Sequence, residues 1–424
     1  MSVLLRAVEV DGTVRDCRLQ DGHIVDVAPV LSVMPADEVV DGAGGALIAG
    51  LADHHLHLLA TAALRGSVDV GASLDALRTA PGDGWIRAVG VEREVTRADL
   101  DAVEDRRPVR VQHVGGSLWT LNTVALDRLG IEGQERITGQ LWRADARLRD
   151  LLGDSESPDV RAVGADLARL GVTHCTDATP DLAPHAVALL TAAVPQHLQL
   201  LGDAAATGPV KLVVGDHELP DPDALAQRIA AVHAAGRAVA VHVVTRAALV
   251  LTIVALRAAG HHRGDRVEHA AVCDDEQAAQ LAVLGAIVVT QPALLARHGD
   301  RYLRDVHELD RPWLWRCGGL RAAGVGVGLS SDAPYGPLDP WATVRAARDR
   351  TTASGAVVGP AERIDAATAL TLLQTTLADP AGPPRRVAVG QPADVVLLAA
   401  PLTEVLADPD AAAVRRTFIA GRDA

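Results

Sequence analysis

Leu47-Ile48-Ala49-Gly50-Leu51-Ala52-Asp53-His54-His55-Leu56-His57 is an apolar run of strand length that stops on a cluster of acid and imidazole groups. Short apolar runs next to glycine read as buried strands, and strands buried on both faces belong to parallel sheets. The run predicts a strand over 47–53. Side chains alternate along extended chain, so His55 and His57 point to one side and His54 to the other. Two imidazoles converging on one side can chelate a divalent cation. A polar end on an apolar strand is also what the C-terminal face of a barrel enzyme carries.

Outward from this strand the chain repeats a strand–helix rhythm. Further strands are expected at about 172–177, 196–202, 209–214, 237–243, 266–270, 286–290 and 325–331, with Ala-rich helices between most of them, as at 222–235, 246–260 and 275–284. Eight strands with helical crossovers point to an α/β protein with a (β/α)8 TIM barrel over 47–383. Residues 58–171 exceed one crossover, and Trp85 to Val89 and Val109 to His113 look like extra strands. They predict an inserted subdomain at about 75–150. Residues 1–46 and 384–424 each hold short strand-like runs, too few to bury a sheet alone. The two ends are therefore expected to combine into one small composite β-sandwich domain.

Lys211 is the only lysine in 424 residues, and every other basic side chain is arginine. It lies in Val210-Lys211-Leu212-Val213-Val214, a β-branched run that reads as a buried strand. A buried ammonium is costly unless paired or neutralised, whereas a neutral amine can do chemistry closed to guanidinium. Placed on the barrel, polar residues fall at five strand ends: His55 and His57, Lys211, His242, Glu268-His269, and Ser330-Ser331-Asp332. One strand-end His is weak evidence, but an ordered set on one face is a candidate metal site.

Bulk properties bound the remaining choices. The net charge of −14 opposes binding to nucleic acid. Hydrophobic content of 49% with only 2% aromatic residues suits an Ala/Val/Leu core. No apolar stretch reaches membrane-spanning length and the N-terminus lacks the features of a signal peptide, so a cytoplasmic enzyme without membrane contact is expected. Cys17, Cys175, Cys273 and Cys317 show no C-x-x-C spacing and read as free thiols.

The motifs resemble the amidohydrolase superfamily over nearly the whole chain. Asp53-His54-His55-Leu56-His57 after Leu47 to Leu51 is similar to the strand-1 motif P-G-L-I-D-x-H-x-H, with Ala49 at the proline, and Gly390 to Val396 resembles the G-x-x-A-D-h-V signature of the accessory β-domain. Gly84-Trp85-Ile86, Trp119 to Leu126, Gly171 to Ala178, Arg266 to Ala270 and Ser331-Asp332-Ala333-Pro334 look like the family-3 branch that includes N-substituted formamide deformylases. The resemblance implies that His55, His57 and Asp332 hold one metal ion and His242 and His269 a second. It also implies two Zn2+ bridged by Lys211 as a carbamate. The implied activity is hydrolysis of a non-peptide C–N bond, in an N-acyl, N-formyl or cyclic amide, by a metal-activated hydroxide with Asp332 as the catalytic proton carrier. The implied partner is a small-molecule amide, with a homodimer as an option.

The chain departs from that branch at Gly115-Gly116-Ser117, where Asp-Gly-His is usual, and at His242-Val243-Val244-Thr245-Arg246, where His-x-x-Gly-Asp is usual. Both departures fall on specificity, and His113 is a nearby substitute for the missing histidine. Trp119, Asn122, Gln291, Trp313, Trp315 and Arg316 are candidate substrate contacts because aromatics are scarce here, although tryptophan more often packs. His54 reads as structural. His174, at the end of the second strand, could reach the site, although a packing or ligand-supporting role is the commoner one for such a residue. Two rival functions stand beside the leading one. One is a mononuclear deaminase of an aminated heterocycle, using His55, His57, His242 and Asp332. The other is an inactive barrel kept as a binding protein. A Cys175 nucleophile lacks a partner beyond His174.

Overall fold

Strands Ser2–Val10 (β1), Thr13–Gln20 (β2), His23–Ala28 (β3) and Asp37–Asp41 (β4) form a sheet in the order β3-β2-β1-β4. The β1–β2 and β2–β3 hairpins turn on Asp11-Gly12 and Asp21-Gly22, all four residues at positive φ. Asp-Gly suits such two-residue turns because their twist matches that of the flanking strands. The computed structural model describes residues 2–424 except Ala72, Gly115, Ser117, Arg143, 154–157, Ala204, Ala205, Thr207 and 216–218.

The stretch 47–53 is two strands rather than one. Leu47–Ala49 (β5) belongs to a small antiparallel sheet, and after Gly50 the chain becomes Leu51–Leu56 (β6) of a parallel sheet. A Cβ on Gly50 would lie 2.2 Å from Thr173 Oγ1, so glycine is what lets the chain cross there. The switch carries the strand end onward and puts His55 inside β6.

A separate compact unit, Leu59–Asp159, follows. It contains Val68–Asp69 (β7), Ile86–Val91 (β8), Val109–His113 (β9), Leu118–Leu121 (β10) and Gln140–Trp142 (β11), in sheet order β11-β10-β9-β8-β7. Leu77, Ile86, Ala88, Val109 and Val111 fill one core of this unit, and Trp119, Leu121, Leu126 and Leu141 fill another.

The other unit joins Met1–Leu58 to Val160–Ala424. Its parallel strands continue with Val172–Asp177 (β12), His197–Leu200 (β13), Val210–Val213 (β14), Val239–Val243 (β15), Arg266–His269 (β16), Ile287–Thr290 (β17) and Gly326–Leu329 (β18). They form two parallel sheets, β13-β12-β6 and β14-β15-β16-β17-β18. Backbone bonds cross both seams between them. Lys211 N donates to Leu201 O at 3.0 Å, while Asp332 N donates to His55 O and His57 N to Ala333 O, both at 2.8 Å. The second seam thus ties the ends of β6 and β18, where the imidazoles and Asp332 lie.

Helices Pro222–Ala234, Arg246–Ala259 and Asp275–Leu284 start on the side-chain caps of Asp221, Thr245 and Asp274. Asp274 and Gln277 form a reciprocal capping box, and the helix ends on Gly285 at φ 65°. Each cap satisfies amide donors that the first helical turn leaves free.

Val395–Leu398 (β19), Val414–Ile419 (β20) and Arg422–Asp423 (β21) complete the small sheet in the order β21-β20-β19-β5. Val395, Leu397 and Phe418 from this sheet share one core with Val3, Leu5, Cys17 and Ile24 from the N-terminal strands. Full burial of each large apolar side chain contributes roughly 1.5–3 kcal/mol. All four cysteines are buried and free. No helix among the described residues is long and apolar enough to cross a membrane.

Candidate metal centre

β6 alternates as its period demands: His54 and His55 face opposite ways. His54 Nε2 meets Thr375 Oγ1 at 2.7 Å, and Asp53 Oδ1 accepts the amides of His55 and Ser331, each at 3.1 Å. Burial pushes Asp53 up to about 6, against those hydrogen bonds. His55 is fully buried, and its Nδ1 is bonded to Glu268. Only Nε2 remains open, 3.3 Å from Lys211 Nζ and 3.6 Å from Asp332 Oδ1. His57 lies just past the strand, with Nδ1 3.3 Å from Thr179 Oγ1 and Nε2 3.4 Å from Asp332 Oδ1. Ligand atoms of His55, His57 and Asp332 all fall within 4.8 Å of one another.

His269 packs its ring 4.7 Å from that of His55, and its Nε2 faces His242 Nδ1 at 2.9 Å. Gln291 Oε1 lies 2.9 Å from His269 Nδ1 and fixes the ring, while Gln291 Nε2 donates to Ser330 Oγ at 2.8 Å and Val289 O at 3.1 Å. Asp332 Oδ2 is 3.9 Å from the same His269 Nδ1. The six sequence-predicted positions His55, His57, Lys211, His242, His269 and Asp332 are therefore brought together.

At His55, His242 and His269 electrostatics favour the neutral imidazole, the form that ligates metal. Burial, followed by the charge of Lys211, holds His55 well below the usual histidine range and lowers His242 to about 4. Burial likewise lowers His269, with the neighbouring His55 and His242 acting in the same direction. Lys211 is 6% exposed, and desolvation lowers its amine to about 8 despite the carboxylates of Glu268 and Asp332.

Two strand ends carry strained backbone. His269 and Ala270 have φ of 72° and 45°, and Asp332 has φ of 52°. Side chains other than glycine rarely adopt this region, and such residues cluster where geometry serves function.

One buried atom decides whether the residues suit a metal. Asp332 Oδ1 has no hydrogen-bond partner, although it faces His55 Nε2 and His57 Nε2. Leaving a buried carboxylate oxygen unmatched is expensive. A cation among two imidazoles and that oxygen removes the cost, so the donor set fits the group.

Sequence reasoning named Glu268 and Gln291 but missed that they orient the metal-ligand histidines. Glu268 is completely buried; burial raises its carboxyl, but Arg266 and Lys211 hold it below the usual range. Arg266 binds Glu268 and also donates to His54 O at 2.6 Å. The signal was present in Arg266-Val267-Glu268: two opposite charges at period two on a buried strand must pair with each other or with the site.

Several expected substrate contacts are occupied otherwise. Asn122 is a helix cap, its Oδ1 accepting the Val109 and Ala125 amides and its Nδ2 donating to Glu104 O and Arg107 O. Trp119 is buried in the core of the Leu59–Asp159 unit, within cation–π distance of Arg87 and Arg110. Arg316 is locked to Glu362 at 2.7 Å and Asp275 at 2.8 Å. Trp313 stacks with Arg246 at 5.3 Å, and Gln291 serves His269. Trp315 lies beside the cluster, its ring edge-on to His269 with centroids 6.3 Å apart. His174 does not reach the site but faces His197, Asp394 and Arg385. Of the Gly115-Gly116-Ser117 departure, Gly115 and Ser117 lie outside the described residues.

Residues 38–423 match the family model described as the amidohydrolase family. A metal-dependent hydrolase from Pyrococcus furiosus is similar at a TM-score of 0.72 and 21% identity, covering 92% of this chain and 98% of that one. The N-isopropylammelide isopropylaminohydrolase of Burkholderia multivorans gives 0.57 at 18%, covering 100% and 98%. The 5-methylcytosine deaminase of Klebsiella pneumoniae gives 0.54 at 15%, covering 100% and 97%. No curated protein matches the chain. At these identities the likeness concerns the fold, a TIM barrel, to which the eight parallel strands correspond.

Proposed function

The chain belongs to the amidohydrolase family, a metal-dependent group, and from that premise we propose that it hydrolyses a non-peptide C–N bond of a small molecule. The bond belongs to an N-acyl or N-formyl amide or a cyclic amide. His55, His57 and Asp332 would hold one Zn2+, His242 and His269 the other, with carbamylated Lys211 between them. One observation carries this reading: the single lysine is buried, its amine is shifted toward neutrality, and its Nζ lies 3.3 Å from His55 Nε2. A neutral amine that has taken up CO2 offers two anionic oxygens; an arginine cannot.

When bound, the metals supply Lewis acidity toward a carbonyl and lower the pKa of water. The chain's own residues do the rest. Glu268 and Gln291 fix the rings of His55 and His269. Asp332, its free Oδ1 at the centre of the cluster, takes the proton of the attacking water and delivers it to the leaving nitrogen. Trp315 shapes the wall beside His269. The sheets of residues 1–46 and 384–424, which share one core, act as one composite domain, and four unpaired thiols suit a cytoplasmic setting.

A mononuclear deaminase is the second reading, favoured by the tight His55–His57–Asp332 grouping, which suffices for one ion. Metal content per chain, measured with a hydrolysis screen over formamides, N-acyl amino acids, hydantoin-like rings and aminated heterocycles, separates the two. Two metals with amide hydrolysis support the leading reading. One metal with ammonia release from heterocycles replaces it, and a metal-free, inactive protein removes both.

A further inference from the structure

A second imidazole–carboxylate group lies away from the cluster just described. His174 is the third residue of β12 and His197 the first of β13, and the two are partners in the parallel register. This is the N-terminal part of the strands, whereas Asp177 ends β12 about 10 Å further on at roughly 3.3 Å per residue. Asp394 reaches the pair from the segment preceding β19 and is 4% exposed. His197 Nε2 lies 3.0 Å from Asp394 Oδ1 and His174 Nε2 3.9 Å from Asp394 Oδ2. The imidazole rings lie 4.5 Å apart, tilted by 32°, and one ligand atom from each of the three residues falls within 4.8 Å of the others.

We propose that His174, His197 and Asp394 form a separate structural Zn2+ site, which staples β12 and β13 to the chain entering the small sheet. Ligand atoms bound tetrahedrally at about 2.0–2.1 Å stand roughly 3.3 Å apart, between the two N–O distances found here. Two imidazoles and one carboxylate select a first-row ion such as Zn2+ over Mg2+ or Ca2+. His197 is the partly exposed member, with 47% of its side chain accessible, so water can supply the fourth ligand.

One neighbour must yield. His174 Nδ1 is 2.8 Å from Thr173 Oγ1 and 2.9 Å from Arg385 Nη1. To offer Nε2 to a cation, His174 carries its proton on Nδ1 and gives it to Thr173. Arg385 then gives up that contact but keeps Gly50 O at 2.6 Å and Thr375 O at 3.4 Å. Asp394 Oδ1 also accepts the Ala420 amide at 2.8 Å, which holds the carboxylate in place. The Asp of the C-terminal signature thereby acquires a ligand role across the two parts of the chain. This site does not depend on how the Lys211 cluster is used.

The full-length protein is stripped with chelator, reloaded with zinc and dialysed, and zinc per chain is compared between wild type and His197→Gln. Zinc-edge anomalous maps of both locate the ions. The expected result is one zinc equivalent fewer in the variant, with the corresponding peak between the two Nε2 atoms and Asp394 in wild type only. Equal zinc in both proteins, or peaks confined to the His55–His57–Asp332 cluster, overturns the proposal. Asp394→Asn gives a second reading of the same loss, and because His197 is half exposed, its variant tests the site even where Asp394→Asn fails to fold.

Discussion

Glu268 grips Nδ1 of His55, and that contact leaves Nε2 as the only ring nitrogen facing Asp332 and Lys211. The carboxylate is itself held by Arg266. Partners of this kind fix the tautomer of a ligating histidine, and removing them typically lowers metal affinity about 10–100-fold. Glu268→Gln also leaves the buried Arg266 charge uncompensated, a change that costs about 3–5 kcal/mol where buried pairs are broken. Chelator competition and urea denaturation should both register the substitution. Unchanged metal affinity would mean that Glu268 serves the fold alone.

The parts that the sequence made legible share one trait: the residue type alone dictated a costly environment. A lone lysine in a Val-rich strand, His-x-His after an apolar run, and Asp332 after Gly326 to Leu329 each announced a buried polar group needing a partner. Departures arose where a tertiary contact decided. Gly50 looks like an ordinary strand glycine until Thr173 is set against it, and only then does 47–53 divide between two sheets. Asn122 and Arg316 looked available because their partners, the Val109 amide and Glu362, are distant or unremarkable in sequence. His174 is on a barrel strand, but its position in the N-terminal half turns it toward Asp394.

Asp332→Asn keeps a metal-facing oxygen and the backbone bond to His55 O at 2.8 Å, but removes the proton carrier. Metal content should stay near that of wild type while kcat falls by about 10²–10⁴, the usual contribution of a positioned acid–base group. Parallel loss of metal and turnover would confine Asp332 to holding the ion.

Lys211 gives a pH signature with a definite sign. Its folded value of about 8 lies below the ordinary 10.5, so the unmodified chain carries a destabilisation that is complete below about pH 8 and fades as pH rises toward the ordinary value. The same neutral amine is what reacts with CO2. At fixed dissolved CO2, reactivation of stripped protein by zinc should accelerate as pH rises through about 8 and be absent in Lys211→Ala. Reactivation that ignores both pH and CO2 would dismiss the carbamate.

Ala270 sits at φ 45° directly after His269 at φ 72°, and its amide donates to Glu268 O at 2.9 Å, closing a tight turn beneath the metal ligand. Glycine enters this region without the steric cost that Cβ imposes, about 1–2 kcal/mol per residue. It also raises the entropy of the unfolded chain, which opposes the gain by roughly 0.4–1 kcal/mol. Relief of strain outweighs that loss, so Ala270→Gly should stabilise the fold slightly, by up to about 1 kcal/mol in urea denaturation. The ligand geometry depends on the turn being held, and a freer turn should weaken zinc binding at His269. Stability and metal affinity are thus expected to move in opposite directions in one variant. A destabilised Ala270→Gly protein with unchanged affinity would show that the turn is not strained and that His269 is held by Gln291 alone.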